Sequence, residues 1–209
     1  FDTIQKEAKK ILEQNCFLLT MGGDHSISYP LIKAYAEKYG PISLIQFDSH
    51  SDTWAEKIKR FDHGSMFYHA SKEGIIEPVN SVQIGLRTNN NDSHGFNILD
   101  ANFVHKNSTE EICKKIKNIV KNNNCYLSFD IDFLDPAFAP GTGTPVSGGF
   151  STRIAQELIR NLTEINFIGG DIVEVSPAYD QSEITSLAAA SILLDFICLL
   201  KSEKIIPKK

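Results

Sequence analysis

The 209-residue chain has no Cys-x-x-Cys pair and no cysteine–histidine finger spacing; its four cysteines stand far apart, at 16, 113, 125 and 198. That excludes a zinc ribbon and a dithiol redox motif. Three of them sit in apolar or helix-like contexts and read as buried free thiols, which fits a reducing, cytoplasmic compartment. No apolar run reaches the ~18 uninterrupted residues of a membrane span. The nearest, 187–200, is broken by Asp195 and reads as a buried helix. Basic residues are neither dominant nor clustered: 21 Lys and Arg stand against 26 Asp and Glu, a net charge of −5. This speaks against a nucleic-acid surface. Repeats, linkers and composition shifts are absent. So is an initiating methionine: the chain opens FDTIQKEAKK, inside a helical pattern and without the layout of a signal peptide. The natural N-terminus is expected to lie upstream.

What is present is ordinary globular material, 42% hydrophobic and 22% charged. A single domain over 1–209 is expected, large enough to fold without a disulfide or metal. Helical patterns cover 4–14, a segment from 26 or 30 to 39, 109–121, 151–161 with Ser151 as N-cap, and 182–202. Short apolar runs at 16–21, 42–47, 82–86, 125–131 and within 165–175 read as strands. Residues 49–60 and the Gly/Pro-rich 135–149 read as loops. Apolar strands without alternation, separated by helices, predict an α/β fold with a parallel sheet covered on both faces. Ligands of such sheets bind beyond the carboxyl ends of the strands.

The polar residues gather at those ends. The run 42–47 closes on Asp48-Ser49-His50-Ser51-Asp52. If the chain stays extended, residues 48, 50 and 52 share a face and form a comb of metal ligands; a polar loop with a capping aspartate is the plainer alternative. The run 125–131 leads into Asp130-Ile131-Asp132, two acids on one face that repel each other unless a cation lies between them. Here the alternative is one capping acid and one paired with a lysine. The run 16–21 ends in Gly22-Gly23-Asp24-His25, and a lone His25 is more often a satisfied loop residue. Taken together, two histidines and four aspartates at one sheet edge predict a two-metal site. Oxygen and imidazole donors without thiolate suit Mn²⁺, with Mg²⁺, Zn²⁺, Co²⁺ and Fe²⁺ as competitors.

The blocks GGDHS (22–26), FDSHSD (47–52), SFDID (128–132) and DPAFAPGTGTP (135–145) resemble the signature blocks of the ureohydrolase family of arginases and agmatinases. Segments 61–70 and 169–190 are similar to agmatinases in particular. The resemblance implies a three-layer α/β/α arginase-like fold, here without its N-terminal segment, so that a sheet edge or apolar face would be bare. It implies two manganese ions bridged by Asp48 and Asp130, with His25 and Asp52 completing one and His50 and Asp132 the other. A bridging hydroxide would attack a guanidinium carbon, with Asp52 aiming it. His63 matches the family's proton shuttle, Glu174 its guanidinium-binding acid and Thr144 a substrate-side threonine. Ser49 stands where alanine is usual and is expected to point away from the metals with little effect. The loop 53–62 is one residue longer than expected.

The resemblance further implies a small guanidino substrate, a trimer or pair of trimers, and neither membrane nor nucleic-acid partners. Residues 53–62 lack the Asn and Ser that serve arginine's carboxylate, which favours agmatine and its products putrescine and urea. Lys57, Lys59 and Arg60 would favour guanidinobutyrate if they faced the cleft. A truncated, non-catalytic paralogue and a one-zinc deacetylase on a related fold are the rival readings.

Overall fold

The computed structural model describes residues 1–54 and 61–203. In chain order the elements are α1 (Asp2–Glu13), β1 (Leu18–Met21), α2 (Ser28–Tyr39), β2 (Ser43–Phe47), α3 (Met66–Lys72), β3 (Val82–Ile84) and β4 (Asn97–Leu99), followed by α4 (Ala101–Lys106), α5 (Thr109–Val120), β5 (Cys125–Asp130), α6 (Thr152–Asn161), β6 (Phe167–Val173) and α7 (Ile184–Glu203). Every named pairing is parallel, and the sheet order is β1-β6-β5-β2-β3-β4.

The strand sequences explain the layering. In β2 all five residues are buried, and Leu44 joins a core with α1, α2 and α3 while Ile45 and Phe47 join a second core with α5, α6 and α7. Alternate residues of one apolar run thus feed opposite faces, as expected for a sheet covered on both sides. The result is the three-layer α/β/α arrangement predicted from sequence. Ser151 caps α6, its Oγ accepting from Ile154 N, and Ser108 and Glu111 form a capping box at α5. No helix among the described residues is long and apolar enough to cross a membrane.

Three elements were not read from sequence: α3, β4 and α4. β4 is a three-residue edge strand with only Leu99 buried, so it carries no apolar run to detect. The strand predicted over 82–86 stops at Ile84 because Gly85 adopts φ +93°, and a Cβ there would meet the Phe133 ring at 2.5 Å. Cys113 and Cys125 are buried whereas Cys16 and Cys198 are exposed, so at most two of the three thiols read as buried are. At β1 the sheet ends among the described residues. Beside that edge Met21 is exposed, as are Ile184, Leu187, Leu194 and Ile197 on α7.

Candidate metal centre

Three of the four neighbouring strands β1-β6-β5-β2 deliver the ligands: β1 leads to His25, β2 to Asp48, His50 and Asp52, and β5 to Asp130 and Asp132. The extended comb expected over 48–52 does not form. Asp48 Oδ1 accepts the His50 N–H at 2.6 Å, bending the chain just past the strand, and Asp52 adopts φ +53°. Asp130 does the same, its Oδ1 accepting the Asp132 N–H at 2.8 Å so that 131–133 form a single 3₁₀ turn. A carboxylate that caps the amide two residues on competes with continued extension. The side chains therefore converge by turns, not by strand alternation.

This folding divides the labour of the carboxylate oxygens. One oxygen of Asp48, Asp130 and Asp132 is held by a backbone amide; for Asp132 it is Oδ1, bound by Ser49 N at 3.0 Å. The other turns to a histidine. His25 Nδ1 lies 3.2 Å from Asp48 Oδ2, 2.8 Å from Asp52 Oδ2 and 3.2 Å from Asp130 Oδ2. His50 Nδ1 lies 2.9 Å from Asp132 Oδ2 and 3.5 Å from Asp48 Oδ1. Two ligand groups result, His25–Asp48–Asp130 and Asp48–His50–Asp132, with Asp48 common to both. Asp52 closes on His25 from the remaining side.

The donor set fits divalent cations. His25 Nδ1 is buried and makes no aligned hydrogen bond to any of its three carboxylates. Its Nε2 meets Ser128 Oγ at 2.7 Å, and Ser128 donates to Asp171 at 2.7 Å. Ser128 therefore accepts from Nε2–H, so that Nδ1 is the nitrogen facing the acids and the one that offers its lone pair to a metal once deprotonated. Fully ionised, the four carboxylates would carry a charge of −4, which two divalent ions would balance.

Without metal, protons take that role. Burial pulls His50 down, but Asp132 and Asp48 outweigh it and raise its pKa to about 11. His25 is raised well above the usual imidazole value, because Asp130, Asp48 and Asp52 overcome its burial. Burial and the Asp48 charge push Asp52 up to about 7, and burial with neighbouring acids also raises Asp130 and Asp132. Asp48 alone is lowered: burial opposes this, but both histidines hold its charged form.

The neighbouring carboxylates raise both imidazoles, so each holds its proton to higher pH in the metal-free chain and an incoming cation must expel protons. Affinity should then rise with pH, roughly tenfold per unit for each proton released. The raised histidines also stabilise the metal-free fold most below their unfolded value, a contribution lost as pH rises towards about 11. The melting-temperature gap between metal-loaded and metal-free protein is therefore expected to widen from pH 6 to pH 8. A gap that stays constant or narrows would contradict this charge balance.

A cavity of about 160 Å³ opens over the cluster, lined by His50, Asp52, Trp54, His63, Gly64, Asp130, Thr144 and Glu174. Glu174 follows β6 at φ +65°, and its Oε1 accepts from His25 N at 2.7 Å and faces His63 Nδ1 at 3.0 Å. Burial lowers the His63 pKa, but the Glu174 carboxylate outweighs it and the net shift is upward. Thr144 Oγ1 reaches Asp132 Oδ2 at 3.4 Å. Six of the nine residues singled out from the sequence thus line one cavity, and His25, Asp48 and Asp132 belong to the ligand groups beside it. Lys57, Lys59 and Arg60 lie outside the described residues.

One expectation fails at close range. Ser49 does not point away from the ligands; its Oγ is 3.0 Å from His50 Nδ1. The turn set by Asp48 rotates residue 49 back towards the cluster. Sequence reasoning also missed Trp54, whose indole packs edge-on to His50 with centroids 5.7 Å apart. It missed Arg87 as well, which donates to the carbonyls of Asp132, Leu134 and Val146 and ties the 135–149 loop to the centre. An arginine directly after an apolar strand was the available signal.

The chain is similar to known proteins along most of its length. Residues 1–198 match the arginase family. Agmatinase of Chromobacterium violaceum is 49% identical over 205 residues, covering 97% of this chain and 64% of that protein. Agmatinase of Photorhabdus laumondii is 50% identical over 203 residues, covering 97% and 66%. The chain thus spans about two thirds of the length of these curated relatives. The crystal structure of a hypothetical agmatinase from Burkholderia thailandensis superimposes with a TM-score of 0.93 at 52% identity, covering 95% of this chain and 64% of that one. Proclavaminate amidino hydrolase from Streptomyces clavuligerus follows with a TM-score of 0.88 at 36% identity, covering 94% and 68%.

Proposed function

Since the chain belongs to the arginase family, we propose that the protein hydrolyses the guanidinium group of agmatine, yielding putrescine and urea, with two Mn²⁺ ions held by His25, Asp48, His50, Asp52, Asp130 and Asp132. The carrying observation is that Asp48 belongs to both ligand groups, beneath a cavity that also holds His63 and Glu174. When bound, the ions would supply a water acidified enough to act as nucleophile near neutral pH.

The chain's own residues do the rest. Glu174 offers a carboxylate to a planar cation, the pairing a guanidinium favours. Its backbone at φ +65° and its bond from His25 N fix that carboxylate over the ligands. Asp52, at the cavity wall, accepts a proton-bearing group and helps aim it. Carbon–nitrogen cleavage requires a proton on the departing amine. His63, 43% exposed and raised in pKa by Glu174, holds one at the cavity mouth. Thr144 lines the same cavity and serves as a substrate-side hydroxyl.

Agmatine is favoured over arginine because Trp54, not a carboxylate-binding residue, begins the loop beside His50. We further place the protein in polyamine synthesis, in the cytoplasm, as a homo-oligomer of three or six copies; the four free cysteines support a reducing compartment. The test is urea and putrescine release by the purified Mn²⁺-loaded protein from agmatine, arginine and guanidinobutyrate. Agmatine is expected to give the highest kcat/KM. Preference for guanidinobutyrate would overturn the substrate reading, and no urea from any of the three would overturn the hydrolase reading.

A further inference from the structure

We propose that Gln46 and Gln83 form a buried positioning pair that fixes Asp48 between the two ligand groups and so sets how tightly both metal ions are held. The inference rests on the two-ion reading above. The two glutamines sit among apolar neighbours in β2 and β3 and are direct cross-strand partners in the parallel register. Both are fully buried.

Their hydrogen bonds run one way. Gln46 Nε2 donates to Asp48 Oδ2 at 2.7 Å and to the His50 carbonyl at 3.2 Å. Gln46 Oε1 accepts from Gln83 Nε2 at 2.6 Å, and that nitrogen also donates to the Ser51 carbonyl at 2.6 Å. The order of these partners fixes both amide orientations, because only a nitrogen can face a carboxylate and a carbonyl at once. The pair therefore grips the whole turn that carries Asp48, His50 and Asp52. With His50 N on Oδ1 and Gln46 on Oδ2, Asp48 is held at both oxygens.

Fold stability alone does not account for the pair. Gln83 Oε1 is buried with no partner, an unmet acceptor that two apolar side chains would avoid. The polar pair instead directs the one carboxylate that both ligand groups share.

The test uses Gln46→Met and Gln83→Met, which keep side-chain length and remove the amide. Calorimetric Mn²⁺ titration, the EPR spectrum of the loaded protein and the melting temperature of the metal-free protein are measured. Gln46→Met is expected to weaken binding of both ions by roughly 10–100-fold, as loss of an outer-shell partner does. It should also alter the spin-coupled dimanganese signal, with the metal-free melting temperature unchanged or higher. Gln83→Met should lose several-fold, and the double variant less than the product of the two. Wild-type Mn²⁺ affinity in Gln46→Met overturns the proposal, as does a fall in metal-free melting temperature with affinity unchanged. If Gln46→Met does not fold, Gln83→Met decides, and wild-type affinity there overturns it. A wild-type protein that binds fewer than two ions would instead overturn the two-ion reading, while the Gln46 effect on the remaining ion stays measurable.

Discussion

Asp48→Asn should empty both metal positions and abolish turnover, a loss well beyond the roughly 10–100-fold typical of removing an outer-shell partner. The reason is geometric. Asp48 is the one side chain common to both ligand groups, with Oδ2 towards His25 and Oδ1 towards His50. Asparagine keeps a carbonyl oxygen for the His50 amide, so the turn over 48–50 is retained and the fold is largely spared. It loses the charge, however, and presents an NH₂ towards the Gln46 amide donor that Asp48 Oδ2 now accepts. Metal analysis after Mn²⁺ reconstitution should fall from about two ions per chain to nearly none. Two ions retained would sink the shared-ligand assignment. Asp130→Asn in parallel is informative, because Asp130 falls in the His25 group alone. Loss of one ion restricts it to that side, whereas loss of both makes it a second bridge.

The fold was legible where apolar runs of five or six residues were long enough to register, as in β2 and β5. It was illegible at β4, where three residues at a sheet edge bury one side chain. Helices α3 and α4 are seven and six residues long, too short for a 3.6-residue period to emerge. The ligands were legible because acids and histidines at strand ends of a parallel sheet have few structural uses. Their mode of convergence was not, since it depends on aspartates capping their own turns, and an alternating strand predicts the same side chains meeting. Ser49 shows the cost of that difference: an extended chain turns it away from the centre, while the observed turn brings it to His50. Gln46 and Gln83 stayed invisible for another reason. A single glutamine in an apolar run has no meaning until the register shows a second one opposite it.

His63→Asn should lower kcat by ~10²–10⁴, the range for a lost general acid or base, and leave metal content and melting temperature unchanged. Among the described residues His63 contacts Glu174, not the ligand groups, and its loop is fixed independently by Asp62, whose Oδ1 caps Gly64 N at 3.0 Å. Its Nδ1 is taken by Glu174, which leaves Nε2 as the nitrogen able to hand a proton to the leaving amine. The same carboxylate raises the His63 pKa, so the ring stays charged to higher pH than a free imidazole and remains a proton source near neutrality. Glu174 keeps its bond from His25 N in the variant, so guanidinium binding and KM should change little. His25→Asn should behave in the opposite way. It removes the imidazole at the centre of three carboxylates, so metal affinity falls first and excess Mn²⁺ restores part of the rate. Excess Mn²⁺ should do nothing for His63→Asn. Rescue of His63→Asn by metal would place His63 with the ligands and overturn its role as proton donor.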